Sequence, residues 1–360
     1  MLVWLAGELF VQAQDRRPFS QRPPLPAERA PMFVLFGFDD NAYPDAVAWF
    51  ADLTRNLKNP AGAGNPKTFD GAPVRATFFL CAGFGAEMAP TNHGPTADAI
   101  LASWKGLADD GHEIANHTYR HPHGADFTTE EWVREIRRAD QFLTEKLALP
   151  RGAIQGFRAS YLEFGRGLFP ALQELGYRYD SSIEAGYGTA WPGDGAHGVW
   201  WWSMGDPKTR AHLFWPHTLR RGVSPATAET TKNRLAGPLP EGIWEMTVYS
   251  YLRPEGGELT GFDYNLWQLL TKDEFRDLLI YNFELQRAGN RCPFAVNAHT
   301  DYYSEHNATA NELFVKSTWQ ERRAALEEFL RHVLQFPDVR VVTFRDALAW
   351  TRTPTPMPRP

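Results

Sequence analysis

The chain has 360 residues, of which 43% are hydrophobic and 22% are charged, an ordinary composition for a globular protein with a substantial core. Its formal net charge of −6 argues against a nucleic-acid or anionic-membrane partner. No segment has the roughly 18 uninterrupted apolar residues of a membrane-spanning helix.

The two ends differ from the rest of the chain. Residues 1–30 begin with an apolar stretch that Glu8 interrupts and that lacks a basic start, which indicates either the remnant of an export signal or a surface-packed segment. The Pro-rich tail, residues 352–360, is predicted to be disordered. We therefore expect one domain over residues 31–351, in an extracytoplasmic or secreted protein.

Strand-like and helix-like segments alternate along this domain. The predicted strands are 32–38, 74–80, 111–116, 153–158, 242–249, 293–299 and 339–344. The predicted helices cover about 96–109, 128–147, 168–176, 271–288 and 318–336, three of them opened by Thr–Glu capping boxes. This alternation predicts an α/β fold, a deformed (β/α) barrel of about seven parallel strands, with a long Trp-rich insertion over 184–240.

The chain contains only two cysteines, too few for a disulfide scaffold. Cys81 and Cys292 each adjoin an apolar run, which favours two buried free thiols. One long-range disulfide between them stays open as an alternative for an exported protein.

Polar side chains follow four of the predicted strands. They are Asp39 and Asp40 after 32–38, His117 and His121 after 111–116, Arg158 after 153–158, and His299 after 293–298. Because functional residues in parallel α/β folds lie at the carboxyl ends of the strands, we expect these groups to converge on one site.

Two of these groups have metal-ligand character. His117 and His121 could bind one ion, and Asp39 or Asp40 would complete a three-ligand zinc site with an open position. The second aspartate would then be free to act as a general base. The alternatives are that the histidines are solvated loop residues and that the aspartates cap the helix that follows.

Four motifs in this order resemble those of the polysaccharide deacetylases, carbohydrate esterase family 4. They are "GFDD" (37–40), "HTYRH" (117–121), "RASY" (158–161) and "NAH" (297–299). The resemblance covers about 32–350. Connecting segments such as "RATFFL" (75–80), "YDSSI" (179–183) and "WPHTL" (215–219) are most similar to the chitin deacetylase branch.

The resemblance implies a role for each motif residue. Asp40, His117 and His121 would bind a divalent metal, usually Zn²⁺ but also Co²⁺, Mn²⁺ or Ni²⁺. Asp39 would be the general base, and Arg158 would orient it.

The remaining roles concern the substrate, which the resemblance implies to be an acetylated, chitin-like glycan. The backbone N–H of Tyr161 would stabilise the oxyanion, and His299 would be the general acid. Trp215 and Asp180 are predicted to contact the substrate.

Three positions depart from the family pattern. Gly37 replaces a Thr, and we expect this to affect packing more than chemistry. Ser160 replaces a Pro and would leave the Tyr161 loop less rigid. Asn297 replaces the Leu that shapes the acetyl pocket, and no Asp-x-x-Asp-Trp string identifies the carboxylate that would tune His299.

Two other functions share some of these features. A carbohydrate-binding protein of the same fold would bind glycans with weak or no turnover. A non-haem iron oxygenase would also use two histidines and a carboxylate, but its usual scaffold is a β-sandwich-like barrel, which the βαβα pattern contradicts.

Overall fold

The fold is organised around a mostly parallel sheet. The structure, a computed structural model, describes residues 23–90, 94–186, 201–203, 215–218 and 242–358. The described strands are β1 Met32–Asp40, β2 Thr77–Leu80, β3 Glu113–Asn116, β4 Gly156–Phe157, β5 Tyr179–Asp180, β6 Glu184–Gly186, β7 Trp201–Ser203, β8 His217–Thr218, β9 Trp244–Glu245, β10 Val248–Tyr249, β11 Tyr251–Leu252, β12 Glu258–Leu259, β13 Phe294–His299 and β14 Val339–Val341.

Helices connect and cover these strands. They are α1 Pro44–Arg55, α2 Ala97–Asp109, α3 Thr129–Lys146, α4 Leu168–Leu175, α5 Asp263–Leu269, α6 Lys272–Ala288, α7 Ala308–Leu313, α8 Trp319–Val333 and α9 Phe344–Arg352. The capping boxes predicted at Thr128, Thr271 and Thr318 are present at the starts of α3, α6 and α8. Among the described helices, none combines the length and apolar character that crossing a bilayer requires.

The main sheet has the strand order β13-β1-β2-β3-β4-β5-β9-β8, and β14 pairs with the start of β1. All neighbours are parallel except β8, which runs antiparallel to β9. The sheet curls into a half-barrel with helices, and this confirms the predicted deformed (β/α) barrel. Small sheets formed by β10-β6-β7 and by β11-β12 lie beside it.

The central strand β1 is buried on both faces, as expected for a parallel strand covered on each side. Val34 and Phe36 point toward the hydrophobic cluster that contains the apolar faces of α1, α2, α6 and α8. Phe33 and Leu35 point to the inner side of the half-barrel, where Phe344 of α9 completes a second cluster. The alternation fixes the register of β1, so its last two residues reach the carboxyl edge of the sheet together.

The chain ends bear on two predictions from the sequence. Residues 1–22 lie outside the described residues, and so does most of the predicted N-terminal segment. The structure corrects the predicted disorder of the Pro-rich tail as far as residue 358. Arg29 donates through Nε to the carbonyl of Met357 (2.6 Å), and the Met357 N–H donates to the carbonyl of Arg29 (2.8 Å).

Both cysteines are buried free thiols, which confirms that prediction. The Cys81 Sγ lies 3.6 Å from the carbonyl oxygen of Tyr119, and the Cys292 Sγ accepts a hydrogen bond from Gln286 Nε2 at 2.9 Å. Each sulfur therefore has its own local contact, and the alternative of a disulfide between them is excluded.

A buried ion pair fastens the Gly/Pro-rich loop 56–73 to the sheet. Arg340 in β14 contacts Asp70 Oδ1 through Nη2 at 2.5 Å, and both side chains are fully buried. Asp70 also accepts hydrogen bonds from the backbone N–H groups of Ala63 (2.8 Å) and Asn65 (3.0 Å). Removing the carboxylate would leave the guanidinium charge buried and uncompensated.

We predict that Asp70→Asn lowers the free energy of unfolding by about 3–5 kcal/mol, because the Arg340 charge stays buried without its partner. Urea unfolding followed by circular dichroism measures this change. The control is Asp109→Asn, which breaks an exposed pair with Lys105 at 2.8 Å and is expected to cost less than about 1 kcal/mol. Equal losses in the two variants would contradict the assigned role of Asp70.

Candidate active site

A cavity of about 340 Å³ opens at the carboxyl ends of β1, β3 and β13. Six of the residues predicted from the sequence line it: Asp39, Asp40, His117, His121, Tyr161 and His299. The volume is within the range of small-ligand sites. The parallel sheet thus brings together polar groups that are up to 260 positions apart in the chain (299 − 39 = 260).

Three of these side chains form a metal-ligand arrangement. The Oδ1 of Asp40 lies 3.4 Å from His121 Nε2 and 3.8 Å from His117 Nε2. One ligand atom from each residue lies within 4.8 Å of the other two. Asp40 Oδ1 is buried and has no hydrogen-bond partner among the described residues. A buried carboxylate oxygen without a hydrogen-bond partner, facing two imidazole nitrogens, is a suitable set of ligands for a divalent cation. These three residues therefore fit such an ion.

The ring of His117 is fixed in the orientation that a metal ligand needs. Its Nδ1 donates to the carbonyl oxygen of Arg158 at 2.8 Å, which leaves the lone pair on Nε2 facing Asp40. Burial lowers the pKa of His117 to about 3, despite the opposing attraction of Asp40. The imidazole is therefore neutral at physiological pH, the form that binds metals.

Unusual backbone conformations are concentrated at this site. Nine non-glycine residues in the described part of the chain have positive φ, and six of them either line the cavity or directly adjoin a residue that lines it. These are Asp40 (65°), Asn41 (68°), Thr118 (71°), His121 (52°), Tyr161 (57°) and Leu162 (53°). Such conformations persist only where surrounding contacts hold them, and they are concentrated at functional sites.

Buried hydrogen bonds hold these strained loops in place. The Asn41 side chain donates to the carbonyl oxygens of Phe38 (2.9 Å) and Phe79 (3.2 Å). The Thr118 hydroxyl lies 2.9 Å from the Ser160 hydroxyl and accepts a bond from the backbone N–H of His121 at 3.1 Å. Ser160, which replaces the proline of the family pattern, thus ties the Tyr161 loop to the histidine loop.

Asp39 has a different partner from its neighbour Asp40. The Nη1 of Arg158 donates to Asp39 Oδ1 at 2.7 Å, and the Arg158 side chain is fully buried. Arg158 also donates through Nε to the Ser181 carbonyl at 3.0 Å, and Phe79 lies under its guanidinium at 4.1 Å. The ion pair that the resemblance implied is therefore present.

Two of the positions that depart from the family pattern lie beneath Arg158. Asn297 accepts from Arg158 Nη2 at 2.7 Å and is buried. It therefore supports the guanidinium and does not line the cavity. A Cβ on Gly37, which pairs with Asn297 across the sheet, would lie 3.3 Å from Arg158 Nη1 and 3.1 Å from Phe344. Glycine leaves room for this arrangement, so its effect is on packing, as expected.

The structure identifies the carboxylate that the sequence did not reveal. Asp263, the first residue of α5, is fully buried, and its Oδ1 lies 2.8 Å from His299 Nδ1. Its Oδ2 accepts the backbone N–H of His299 at 3.0 Å. Burial opposes a charge on His299, but the attraction of Asp263, with smaller contributions from Asp40 and Asp39, raises the pKa of His299 to about 9.

Tyr161 projects from the opposite wall, next to the histidine loop. The residue is 43% exposed, and its ring stacks on His123 at 4.1 Å and contacts His121 edge-on at 4.5 Å. No acceptor for its backbone N–H is present among the described residues. The N–H is free to bind a ligand oxygen, the property that the predicted oxyanion role requires.

Trp215 is not a substrate residue, contrary to the prediction. It is fully buried, and its indole Nε1 donates to the Asn290 carbonyl at 2.9 Å. Asn290 precedes β13, whose other end carries His299, so Trp215 lies at the opposite end of the half-barrel. The apolar surroundings that include Trp350, at 5.9 Å between ring centroids, make it a core residue. Trp191 and Trp200 of the insertion lie outside the described residues.

Asp180 also lies away from the cavity, so the predicted substrate contact is wrong. Its carboxylate is fully buried and accepts from the Ser182 N–H (2.9 Å) and the Ser182 hydroxyl (2.7 Å). Ser182 in turn accepts the backbone N–H of Ala159 at 2.8 Å. Burial raises the pKa of Asp180 to about 6. Asp180 therefore supports the loop that follows Arg158.

Comparisons with known proteins agree with this geometry. Residues 67–179 match the model of the polysaccharide deacetylase family. Chitin deacetylase 1 of Bombyx mori is 21% identical over 346 residues, which cover 92% of this chain and 52% of that protein. Chitin deacetylase 8 of Bombyx mori is 22% identical over 346 residues, covering 93% of this chain and 74% of the relative. The chain thus spans about half the length of the first relative.

A solved structure shows the same fold across nearly the whole chain. The putative polysaccharide deacetylase from Mycobacterium smegmatis superposes with a TM-score of 0.51 at 18% sequence identity, covering 91% of this chain and 92% of that one. This likeness shows the fold. Residues 67–179 thus match the polysaccharide deacetylase family, and nearly the whole chain shares the fold of that solved structure.

Proposed function

We propose that this protein is a metal-dependent N-deacetylase that hydrolyses the acetamido groups of chitin-like N-acetylglucosamine polymers or oligomers. The observation that carries the proposal is the buried, unpartnered Asp40 Oδ1 facing His117 and His121, with a cation-paired Asp39 beside it. The chitin-like substrate is supported by the names of the two Bombyx mori relatives.

Asp40, His117 and His121 would hold the divalent cation, with Zn²⁺ as the expected ion and Co²⁺, Mn²⁺ or Ni²⁺ as alternatives. Bound there, the cation would supply Lewis acidity for the amide carbonyl and for the attacking water. Two imidazoles and one carboxylate are the ligand set of several catalytic zinc sites.

Asp39 takes the proton from the attacking water. Arg158 stabilises the negative charge of Asp39 and fixes its orientation through the 2.7 Å bond to Oδ1. The other oxygen, Oδ2, lies 3.9 Å from His117 Nε2 and thus at the side of the metal ligands, where the water must approach. The charge of the base and its direction are therefore set before substrate binds.

His299 gives a proton to the amine as the C–N bond breaks. Its raised pKa keeps it protonated at neutral pH, and its bond through Nδ1 to Asp263 leaves Nε2 as the donor. The free backbone N–H of Tyr161 donates to the carbonyl oxygen as negative charge develops on it.

We predict that a chelator abolishes acetate release from N-acetylglucosamine oligomers, and that Zn²⁺ or Co²⁺ restores it. His121→Ala should lose bound metal, measured by elemental analysis, together with activity. The control is His306→Ala, which removes a ligand from an exposed cluster with Asp45 and Glu305. It should change neither the metal content nor acetate release. Metal loss in the His306 variant would contradict the site assignment.

We predict that Asp39→Asn keeps the metal and lowers kcat about 10²–10⁴-fold, because an amide cannot take the proton from water. Acetate release and metal content of the same preparation test this. Unchanged activity would show that Asp39 is not the base.

We predict that Asp263→Asn moves the alkaline limb of the kcat/KM profile to lower pH, by about one unit or more. His299 must be protonated to act as the acid, so activity falls as pH rises through its pKa, and loss of the Asp263 charge lowers that pKa. The control is Tyr302→Phe, which removes the hydroxyl of a ring whose centroid lies 4.7 Å from that of His299, without changing charge. An alkaline limb that stays in place in the Asp263 variant would refute the tuning role.

A further inference from the structure

A buried carboxyl group on the cavity wall has no part in the mechanism above. Glu184 in β6 is 1% exposed and lines the cavity. Its Oε1 accepts from the Thr260 hydroxyl at 2.8 Å and from the Gly261 N–H at 3.3 Å. Its Oε2 is buried and has no hydrogen-bond partner among the described residues. Burying a polar atom without a hydrogen-bond partner costs free energy. The bonds at Oε1 hold the carboxyl group in place, while Oε2 still lacks such a partner.

The position of Glu184 relates it to the general acid. Gly261 bonds Glu184 through its N–H and accepts the Asn297 side-chain amide at 3.4 Å through its carbonyl. The next residue, Phe262, lines the cavity and packs on the His299 ring at 5.7 Å. Glu184 therefore lies on the wall from which His299 reaches the amide nitrogen. That nitrogen stays on the sugar after hydrolysis, so this wall faces the sugar ring.

We propose that Glu184 is a substrate-binding residue that bonds a ring hydroxyl of the sugar carrying the scissile N-acetyl group. The inference rests on the proposed deacetylase function and names one of its substrate contacts. A hydroxyl both donates and accepts hydrogen bonds, so it can form one with Oε2 whether the carboxyl group is ionised or protonated.

The electrostatics of the wall favour a neutral partner. Burial, with a further contribution from the charge of Glu258, raises the pKa of Glu184 to about 7, so the group is often protonated at neutral pH. An ammonium group, as on an already deacetylated sugar, would require the ionised form. The hydroxyl therefore fits better, and the amine becomes an outcome of the test.

The test compares wild type and Glu184→Ala on N-acetylglucosamine oligomers and on oligomers whose sugars lack the 3-hydroxyl or the 6-hydroxyl. We expect Glu184→Ala to raise KM about tenfold on the complete oligomer, the effect of one buried hydrogen bond, with a smaller change in kcat. Wild type should lose a similar factor on one of the deoxy oligomers. On that oligomer the variant should lose nothing more, because the lost contact is the same.

The matched control is Glu245→Ala. Glu245 is also fully buried with an unpartnered Oε2, but it lies against Asp180 and does not line the cavity. The KM of the Glu245→Ala variant should equal that of wild type. A KM increase in both variants would show that the Glu184 effect is structural and would overturn the proposal.

Other outcomes separate this inference from the proposed function. No acetate release by metal-loaded wild type from any oligomer would refute the deacetylase function itself. If acetate is released but the losses from Glu184→Ala and from the missing hydroxyl add up, the hydroxyl contact alone would be overturned. The same would follow if Glu184→Ala had an effect only on partly deacetylated oligomers. If Glu184→Ala does not fold, equal kcat/KM of wild type on the complete and both deoxy oligomers would overturn it without the variant.

Discussion

The site depends on two adjacent carboxylates at the end of β1 having different partners. Like charges on neighbouring residues repel, and both cannot be ionised in one buried place without compensation. Arg158 compensates Asp39 through a 2.7 Å bond, while Asp40 turns its unpartnered oxygen toward two imidazoles. Asp40 has a positive φ of 65°, and its side chain lies against the two histidines while that of Asp39 lies against Arg158. Backbone strain and charge separation are thus parts of the same arrangement.

The same separation of charge distinguishes the proposed base, Asp39, from the proposed acid, His299. Asp39 is paired with a buried cation and carries negative charge, whereas His299 is paired with a buried anion, Asp263, and carries positive charge. The two partners, Arg158 and Asp263, lie outside the strands β1 and β13 that carry Asp39 and His299. In the proposed mechanism, the fold therefore sets the direction of proton transfer before a substrate arrives.

Much of the fold could be predicted because long apolar segments and capping boxes carry strong local signals. The two strands of the main sheet that the pattern missed, β5 and β8, have only two residues each, too few to show a periodicity. The predicted segment 242–249 splits into β9 and β10, since a bend between them moves the second part to another sheet. Local pattern cannot reveal which sheet a short strand joins.

The same holds for the site: residues marked by local sequence could be predicted, and residues placed by distant contacts could not. Groups at the carboxyl ends of strands, such as Asp39 and His299, could be located because the sheet itself brings them to one edge. Asp263 could not, because it reaches His299 from the start of a helix 36 positions earlier in the chain. The burial of Trp215 could not be predicted, because a tryptophan can have the same local sequence in a groove and in a core. Residues that position others lie where packing brings them, and only the three-dimensional structure shows their partners.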